Sequence, residues 1–526
     1  MKSKTGRLLL DSRRKLIPPE HSIQKQAMEG GCGVVGLACE EKISGKHIMQ
    51  SLVQMHNRGN SKGGGIAAFG LNPDQLGVSR KILEEDYLIQ VAYLDPEARK
   101  NTEKEFIFSG LEVHSHNKIP TVKDFQSVSG LEMQPPEVWR YFCRVKEDIL
   151  NHFILIHNLE ALEREKAEDE FIYQNTYMLN KKFYSSLGEK RAFVLSHGRN
   201  MFILKIVGYA EQVINYYQLE HLDAHIWIGH QRYPTKGRVW HPGGAHPLMG
   251  MNEALVHNGD FANYHSIAEY LSQKNIYPLF LTDTEVSVLL FDLFNRIYDY
   301  PLEYTIEALA PTSERDFHLL PEEKRKIYRA IQASHIHSSP DGPWFFIIGQ
   351  TDRREKSHKL LGITDTSMLR PQVFAFQENG VSIGLVASEK QAIDATLRSL
   401  HEADDRFFPY ADMYWNARGG SYTDGGAFVF TVKDEKLTVT DKFGKKVSTE
   451  KELDCPPVAF STLMPQDEEL LEKVEEFTGI IDSRWRIPIK ERAKVLTHAE
   501  KCLNGIFLSP PKRTGDNIHL RLIDQN

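Results

Sequence analysis

A cysteine between two glycines lies where a polar leader meets the first apolar run of this 526-residue chain. Glycine on both sides leaves the main chain around Cys32 uncrowded and able to adopt conformations that are closed to other residues. A substrate could therefore approach the thiol closely, or the peptide bond between Gly31 and Cys32 could be attacked. The alternative is ordinary packing, because a free cysteine often serves as a small buried hydrophobic side chain. The motif alone favours packing, and later stretches of the chain reverse that preference.

Two arginines follow predicted elements and could bind a negatively charged group. Arg58 comes after a helix predicted over Lys46–Met55 and shortly before three consecutive glycines. Those glycines indicate either a flexible turn or a backbone held close to a ligand, with Arg58 directed inward. Arg232 follows a strand predicted over Ile226–Gly229, and a guanidinium at a strand end can bind a carboxylate through two parallel hydrogen bonds. A surface arginine in a loop is the alternative for Arg232.

Two further motifs offer partners for the charges of a substrate. Asn258-Gly259 between apolar segments is a strong signal for a β-hairpin turn. The functional alternative is an oxyanion hole, in which the Asn258 side-chain amide and the Gly259 backbone N–H stabilise a tetrahedral intermediate. Asp283 begins a predicted apolar helix, where it or Thr282 could act as the N-cap. The functional alternative for Asp283 is a salt bridge with the amino group of a ligand.

In their order and wording these stretches resemble the class II glutamine amidotransferases, whose fold is the N-terminal-nucleophile (Ntn) hydrolase. The resemblance rests on the motifs C-G-V-V-G from 32, H-N-R-G from 56, H-Q-R-Y-P-T from 230, A-H-P from 245, V-H-N-G-D from 256 and T-D-T-E from 282. Within this family the chain is most similar to the amidotransferase domain of glutamate synthase, through 193–217, D-G-P at 341–343, L-R-P at 369–371 and A-S-E at 387–389. The likeness covers roughly residues 32–445 and is weakest over 75–185.

The resemblance implies a catalytic role for three residues. Cys32 would be the nucleophile once the bond after Gly31 is cut, and its freed α-amino group would be the general base. Such an amine has a pKa of ~7.7–8, close to the working pH that general-base catalysis favours. Asn258 and Gly259 would form the oxyanion hole. The reaction would be attack on the side-chain amide of glutamine, loss of ammonia and hydrolysis of a γ-glutamyl thioester.

The resemblance also implies how glutamine is bound. Arg232 would hold the α-carboxylate and Asp283 the α-ammonium, while Arg58 would support the position of the nucleophile. Thr235 and His246 are expected in the wall of the pocket. Glutamate synthases commonly have serine or threonine around the arginine, whereas this chain reads His230-Gln231-Arg232-Tyr233-Pro234-Thr235.

The expected fold is an α+β, four-layer αββα sandwich in which two antiparallel sheets lie between helices. Residues 1–31 would be a leader, 32–450 the amidotransferase domain with an elaboration over about 75–220, and 451–526 a C-terminal extension. Within the elaboration the pattern indicates helices over 138–153 and 159–183, then two paired strands over 192–195 and 201–204. Further strands are predicted over 344–348, 373–376, 381–386, 427–432 and 437–440. An acidic amphipathic helix over 468–477 would pack on the domain or bind a partner.

Composition narrows the remaining function classes. The 64 basic and 71 acidic residues nearly balance, so nothing indicates a nucleic-acid partner. The five cysteines are scattered without a C-x-x-C pair, which argues against zinc or iron–sulfur sites and favours a reducing compartment. No apolar run approaches the ~20 residues of a membrane span. We therefore expect a cytoplasmic protein with no metal and no cofactor of its own.

The predicted function is that of a glutaminase subunit of a glutamate-synthase-like complex. The chain shows no phosphate-binding barrel and no cysteine cluster, so a separate synthase subunit carrying FMN and an iron–sulfur centre would use the ammonia. Two alternatives stay open. One is a non-catalytic regulatory or binding subunit with an uncleaved leader, and the other is an amidotransferase that serves a different acceptor.

Overall fold

The computed structural model describes residues 31–231, 241–367 and 372–448. The chain divides into two compact units. The larger comprises Met28–Asp412 and Ala417–Ser448, and it holds Cys32 and the other described site residues. In the smaller unit only 413–416 lies within the described ranges. The helix predicted over 468–477 lies outside them.

Strands and helices account for similar numbers of the described residues. In chain order the strands are β1 (Gly33–Ser44), β2 (Gly64–Leu71), β3 (Tyr87–Tyr93), β4 (Leu111–Lys118), β5 (Glu137–Val145), β6 (Ala192–Ser196), β7 (Met201–Ile206), β8 (Asp223–Gln231), β9 (Leu248–Met249), β10 (Glu253–Gly259), β11 (Trp344–Asp352), β12 (Ser357–Thr364), β13 (Val373–Gln377), β14 (Ile383–Ala387), β15 (Met413–Trp415), β16 (Ala427–Lys433) and β17 (Lys436–Asp441).

Helices connect these strands. They are α1 (Gly45–Gln54), α2 (Pro73–Leu76), α3 (Arg80–Glu85), α4 (Ala98–Thr102), α5 (Glu147–His157), α6 (Arg164–Phe183), α7 (Ala210–Tyr216), α8 (Tyr264–Ser272), α9 (Asp283–Asp292), α10 (Leu302–Leu309), α11 (Glu314–Phe317), α12 (Glu322–Ser334) and α13 (Lys390–Ala403). None of the helices in the described ranges is long and apolar enough to cross a membrane.

Three antiparallel sheets form the larger unit, which makes the fold α+β. The first has the strand order β13-β14-β1-β8-β2-β7, and the second has the order β17-β16-β12-β11-β10-β9. The third, β4-β5-β3-β6, belongs to the segment predicted as an elaboration. The two larger sheets and the helices are compatible with the predicted sandwich. The third sheet was not predicted from the sequence.

The first two sheets pack closely because glycines on one face leave room for large side chains on the other. A Cβ atom added to Gly36 of β1 would lie 2.7 Å from Ile347 of β11, which is closer than real side-chain atoms approach. A Cβ atom added to Gly349 of β11 would lie 2.2 Å from the Phe69 ring of β2. Such interdigitation gives the density of a protein interior. The sheet carrying Cys32 and the sheet carrying Asn258 are thereby held against each other.

The elaboration differs from its prediction in two respects. The helix predicted over 138–153 is wrong in its first half, because β5 occupies Glu137–Val145 and pairs with β3 and β4. Its valines and aromatic residues suit a strand, and a short apolar run does not separate the two types. The strands predicted over 192–195 and 201–204 exist as β6 and β7. They are not paired with each other, since β6 pairs with β3 and β7 with β2.

Candidate functional site

Cys32 is half-buried immediately before β1, the strand that lies between β14 and β8. The register sets Gly33 opposite Gln231 and Val35 opposite Ala387. The ends of β8 and β14 therefore flank the cysteine. Arg232 and Thr235 follow β8 but lie outside the described residues, so the roles predicted for them stay predictions.

Asn258 directly contacts the predicted nucleophile. The backbone N–H of Cys32 donates to Asn258 Oδ1 at 3.0 Å, and only 2% of Asn258 is exposed. The hairpin alternative for Asn258-Gly259 is wrong, because both residues end β10 and pair with Phe345 and Trp344 of β11. The two predicted oxyanion donors thus lie at the C-terminal end of β10, where this strand pairs with β11.

Glycine is required at position 259. Its φ is +120°, a value that residues with a side chain rarely adopt. A Cβ atom there would lie 2.0 Å from the carbonyl oxygen of Pro343. The backbone therefore passes the neighbouring strand too closely for any other residue.

Ser388 links Cys32 to Asn258 from the end of β14. Its hydroxyl donates to the carbonyl oxygen of Cys32 at 3.0 Å and accepts from the backbone N–H of Val34 at 2.9 Å. Asn258 Nδ2 donates to the same hydroxyl oxygen at 3.4 Å. The next residue, Glu389, forms an ion pair with Nε of Arg58. Residues 388 and 389 thus contact three of the predicted site residues.

A second polar chain supports the loop that carries Arg58. Gln231 is fully buried, and its Nε2 donates to Glu211 Oε2 at 2.7 Å and to the carbonyl oxygen of Leu52 at 2.6 Å. The other carboxylate oxygen of Glu211 is 2.7 Å from Nδ1 of His56. The glutamine that departs from the glutamate synthase pattern therefore has defined partners, at the strand end and beside α1.

Asp283 is the first residue of α9, and Thr282 is the N-cap. Thr282 Oγ1 accepts from the backbone N–H of Glu285 at 3.1 Å, so Thr282 rather than Asp283 supplies the capping side chain. Asp283 Oδ1 accepts from the backbone N–H of Thr284 at 2.9 Å, and Oδ2 is 3.6 Å from Nδ1 of His257. His257 precedes Asn258 on β10, so α9 and β10 meet through this pair.

His246 lies between these elements. Its Nε2 is 2.6 Å from the hydroxyl of Thr284, and its ring centroid is 4.0 Å from that of His230. Burial, followed by the neighbouring His230 and His257, lowers the pKa of His246 well below its usual value. The imidazole is therefore neutral near pH 7 and suits a pocket wall better than a charged contact.

Two ionisable groups are buried behind this wall. Lys205 Nζ donates to the carbonyl oxygens of Gly243, Ala245 and Pro247, and burial lowers its pKa to about 7. Glu285 accepts three backbone N–H groups from 279–281, and burial raises its pKa to about 7. Both groups line a cavity of about 40 Å³, enough for two or three waters. Neither Cys32 nor Asp283 lines that cavity.

Metal binding has no support among the described residues. Within 31–231, 241–367 and 372–448, no group of three or more histidine, cysteine, aspartate or glutamate side chains could hold a metal ion. The neighbouring histidines His230, His246 and His257 therefore do not form a metal-binding group.

The predicted site residues fall into two groups of contacts. Cys32 contacts Asn258, which Gly259 follows on β10. His246 contacts Thr284, the residue after Asp283, and Asp283 contacts His257. Arg58 joins the first group through Glu389. No role was predicted from the sequence for Ser388, Glu389 or Gln231. The A-S-E motif that carried part of the resemblance was the available signal for the first two.

No protein-family model matches the chain. The chain is 28% identical over 373 residues to an uncharacterized protein of Archaeoglobus fulgidus, a match that covers 70% of this chain and 88% of that protein. It is 39% identical over 69 residues to glutamine–fructose-6-phosphate aminotransferase (isomerizing) of Campylobacter jejuni, covering 13% of this chain and 11% of that protein. It is 25% identical over 228 residues to amidophosphoribosyltransferase of Pseudomonas aeruginosa, covering 41% and 40%.

These partial matches support the predicted resemblance of the chain to the class II, Ntn glutamine amidotransferase superfamily. The chain spans less than half the length of the two named enzymes that it matches. The match to the A. fulgidus protein is long but comes with no activity in its name.

Proposed function

We propose that this chain is a glutamine amidotransferase subunit. It would hydrolyse glutamine to glutamate and ammonia through a thioester on Cys32 and pass the ammonia to a separate synthase. The observation that carries the proposal is the 3.0 Å hydrogen bond from the Cys32 N–H to Asn258 Oδ1. It joins the residue proposed as nucleophile to the residue proposed as oxyanion donor, from two different sheets.

Removal of the leader would prepare the nucleophile. Hydrolysis of the Gly31–Cys32 bond leaves a carboxylate on Gly31 and an amino group on Cys32. A neutral amine has two N–H groups and one lone pair. One N–H can remain on Asn258 Oδ1, and the lone pair is then free to take the proton of the thiol. The same residue would therefore supply both the nucleophile and its general base.

The chemical steps would follow from these contacts. The sulfur attacks the side-chain amide carbon of glutamine, and the carbonyl oxygen becomes an oxyanion that accepts from Asn258 Nδ2 and the Gly259 N–H. The α-ammonium of Cys32 returns its proton to the departing nitrogen, which leaves as ammonia. Water, activated by the same amine, then hydrolyses the thioester to glutamate.

Charged groups at the two ends of the pocket would recognise glutamine. Arg232 would bind the α-carboxylate and Asp283 the α-ammonium, with Arg58 supporting the nucleophile. Thr235 and the neutral ring of His246 would line the wall. The Asp283 carboxylate suits this task because Thr282, rather than Asp283, caps the helix.

The proposed acceptor system is glutamate-synthase-like, with FMN and an iron–sulfur centre on a separate partner subunit. Its support is the likeness to the glutamate synthase amidotransferase domain at 193–217, 341–343, 369–371 and 387–389. A different acceptor is the second candidate, because the named relatives are an aminotransferase for fructose 6-phosphate and an amidophosphoribosyltransferase.

Intact mass and a glutaminase assay on one preparation test the proposal. We expect a chain that starts at Cys32 and releases glutamate and ammonia from glutamine, and we expect Cys32→Ala to release neither. An active preparation that contains only uncleaved chain would exclude the amine as base. A preparation that keeps its leader, binds glutamine and stays inactive under all partner conditions would favour the binding-subunit alternative.

A further inference from the structure

We propose that Ser388 and Glu389 are positioning residues that hold the nucleophile, the oxyanion amide and Arg58 in one arrangement. We call these two residues the 388–389 bracket. The inference rests on the proposed function and adds residues to which that function assigned no role. The bracket contacts Cys32 before β1, Asn258 at the end of β10 and Arg58 after α1.

Counting protons fixes the direction of each hydrogen bond at Ser388. A hydroxyl has one proton to donate and two lone pairs to accept with. Two carbonyl oxygens lie within reach of Ser388 Oγ, that of Cys32 at 3.0 Å and that of Val34 at 3.5 Å, so the proton goes to the nearer one, on Cys32. The backbone N–H of Val34 at 2.9 Å must then donate to Ser388 Oγ. The remaining lone pair faces Asn258 at 3.4 Å and calls for a donor.

This accounting determines how the Asn258 amide is oriented. Its NH₂ group must face Ser388, and its oxygen then faces the Cys32 N–H at 3.0 Å. The NH₂ group has a second proton, which is left for the oxyanion. A rotated amide would set two donors against each other at Cys32 N and remove the donor from Ser388. Ser388 therefore selects the orientation that catalysis needs.

Glu389 extends the same bracket to Arg58. The ion pair joins Nε of Arg58 to a carboxylate oxygen of Glu389, and both side chains are about one-fifth exposed. An arginine that shares a hydrogen bond with a fixed carboxylate keeps its guanidinium plane in one orientation. Arg58 is thereby oriented by the residue next to the one that orients Asn258.

The bracket is itself attached to rigid elements. Ser388 N donates to the carbonyl oxygen of Val34 at 2.9 Å and continues the pairing of β14 with β1. Glu389 is the residue before α13, and α13 is joined to α1 by the bond from the Ser51 hydroxyl to the carbonyl oxygen of Ala392 at 2.6 Å. Site residues on such supports are held more precisely than residues on loops.

Steady-state kinetics of Ser388→Ala and Ser388→Thr test the bracket, with Ser421→Ala as the matched control. Ser421 is a buried serine whose hydroxyl, like that of Ser388, has several partners. They are Asp424 Oδ1 at 2.9 Å, the N–H groups of Gly425 and Asp424, and the hydroxyl of Thr423. We expect Ser388→Ala to lower kcat by ~10- to 100-fold, as misplacement of catalytic groups does. The KM for glutamine should change less than twofold, since Arg232 and Asp283 are untouched.

A second readout does not depend on glutamine hydrolysis. Alkylation by iodoacetamide, with sites located by peptide mass, should be at least threefold faster at Cys32 in Ser388→Ala, because its main chain is less restrained. Cys39, which is fully buried, should stay unmodified, and this separates local loosening from unfolding. The control and Ser388→Thr, which keeps the hydroxyl, should match the wild-type protein in both readouts.

The outcomes for the bracket and for the proposed function can be told apart. An active wild-type enzyme whose Ser388→Ala variant keeps its kcat would overturn the bracket and leave the function standing. An inactive wild-type protein with Cys32 at its N-terminus would count against the function, and the alkylation rates would then decide on the bracket. Equal alkylation of Cys32 in Ser388→Ala and wild type would reject the bracket in that case.

Discussion

Lys205 Nζ lies 3.0 Å from the carbonyl oxygen of Ala245, the residue before His246. The same ammonium donates to the carbonyl oxygens of Gly243 and Pro247, so it fixes the segment on both sides of the histidine. Lys205 is 2% exposed and belongs to β7 of the first sheet. The segment around His246, the residue proposed for the pocket wall, is thus fixed by a buried lysine whose protonated form has one proton for each of the three carbonyl oxygens.

Replacing this lysine should destabilise the protein. Lys205→Met leaves the three carbonyl oxygens without their donor, and each unsatisfied buried group costs free energy. We expect the free energy of unfolding to fall by roughly 1–3 kcal/mol, measured by urea denaturation. Lys181→Met, on the exposed surface of α6, is the matched control and should change little. Equal stability of the two variants would show that water replaces the ammonium at no cost.

The carboxylate of Glu285 predicts a pH dependence of stability. Burial raises its pKa from 4.5 to about 7, so between those values the folded chain binds more protons than the unfolded chain. The free energy of unfolding therefore decreases as the pH rises through this interval. Glu285→Gln should remove a decrease of up to about 3 kcal/mol, at ~1.36 kcal/mol per pKa unit.

This prediction is tested by comparing the free energy of unfolding of two proteins as a function of pH. Urea unfolding of wild type and Glu285→Gln at several pH values between 5 and 7.5 gives that difference directly. Glu323→Gln, at an exposed position of α12, should run parallel to wild type. Parallel profiles for Glu285→Gln as well would mean that the buried carboxylate is charged throughout.

Loss of Asn258, the proposed side-chain oxyanion donor, should slow catalysis strongly. Asn258→Ala removes Nδ2 from the position where charge develops, and one such donor contributes on the order of 100-fold to 1,000-fold in kcat. Asn258→Asp is a useful companion, because it keeps the acceptor for Cys32 N but replaces the donor by a second acceptor. Glutamine hydrolysis by both variants should therefore be slow. A near-normal kcat for either variant would mean that the Gly259 N–H alone is sufficient to stabilise the oxyanion.

The sequence predicted individual strands and helices better than it predicted which strands pair with each other. The strands over 344–348 and 427–432 and the helix over 46–55 are confirmed, since each depends on the spacing of nearby apolar residues. The pairing of β6 with β3 and the strand placement of Asn258-Gly259 could not be read that way, because their partners are distant in the chain.

At the site, likewise, residues with chemically suitable side chains were predicted from the sequence, but contacts between distant residues were not. Cys32, Asn258 and Asp283 were selected because their side chains suit the chemistry. Ser388 was not, because a serine has no chemistry that singles it out until its contact with Cys32, 356 residues away, is known. The register of β1 with β14 creates that contact, and no local pattern around either residue specifies it.

The last prediction is that the ammonia is handed to a separate protein. A glutaminase that works without an acceptor would waste glutamine, so its basal rate should be low and should rise when a partner and its substrates bind. Binding can favour the competent state of the site through differential affinity. We expect the protein captured from its native extract to bring a flavoprotein with it, and the complex to form glutamate from 2-oxoglutarate with glutamine and a reductant.

Two controls connect that activity to this chain. Cys32→Ala should capture the same flavoprotein, lose glutamine-dependent synthesis and keep synthesis from added ammonia, because only the nitrogen source is removed. Ser421→Ala, outside the proposed site, should keep both. If the purified chain hydrolyses glutamine at full rate alone and retains no flavoprotein, the subunit role is wrong and a free-standing glutaminase remains. If glutamine nitrogen instead appears in a sugar phosphate, the acceptor assignment is wrong while the chemistry at Cys32 stands.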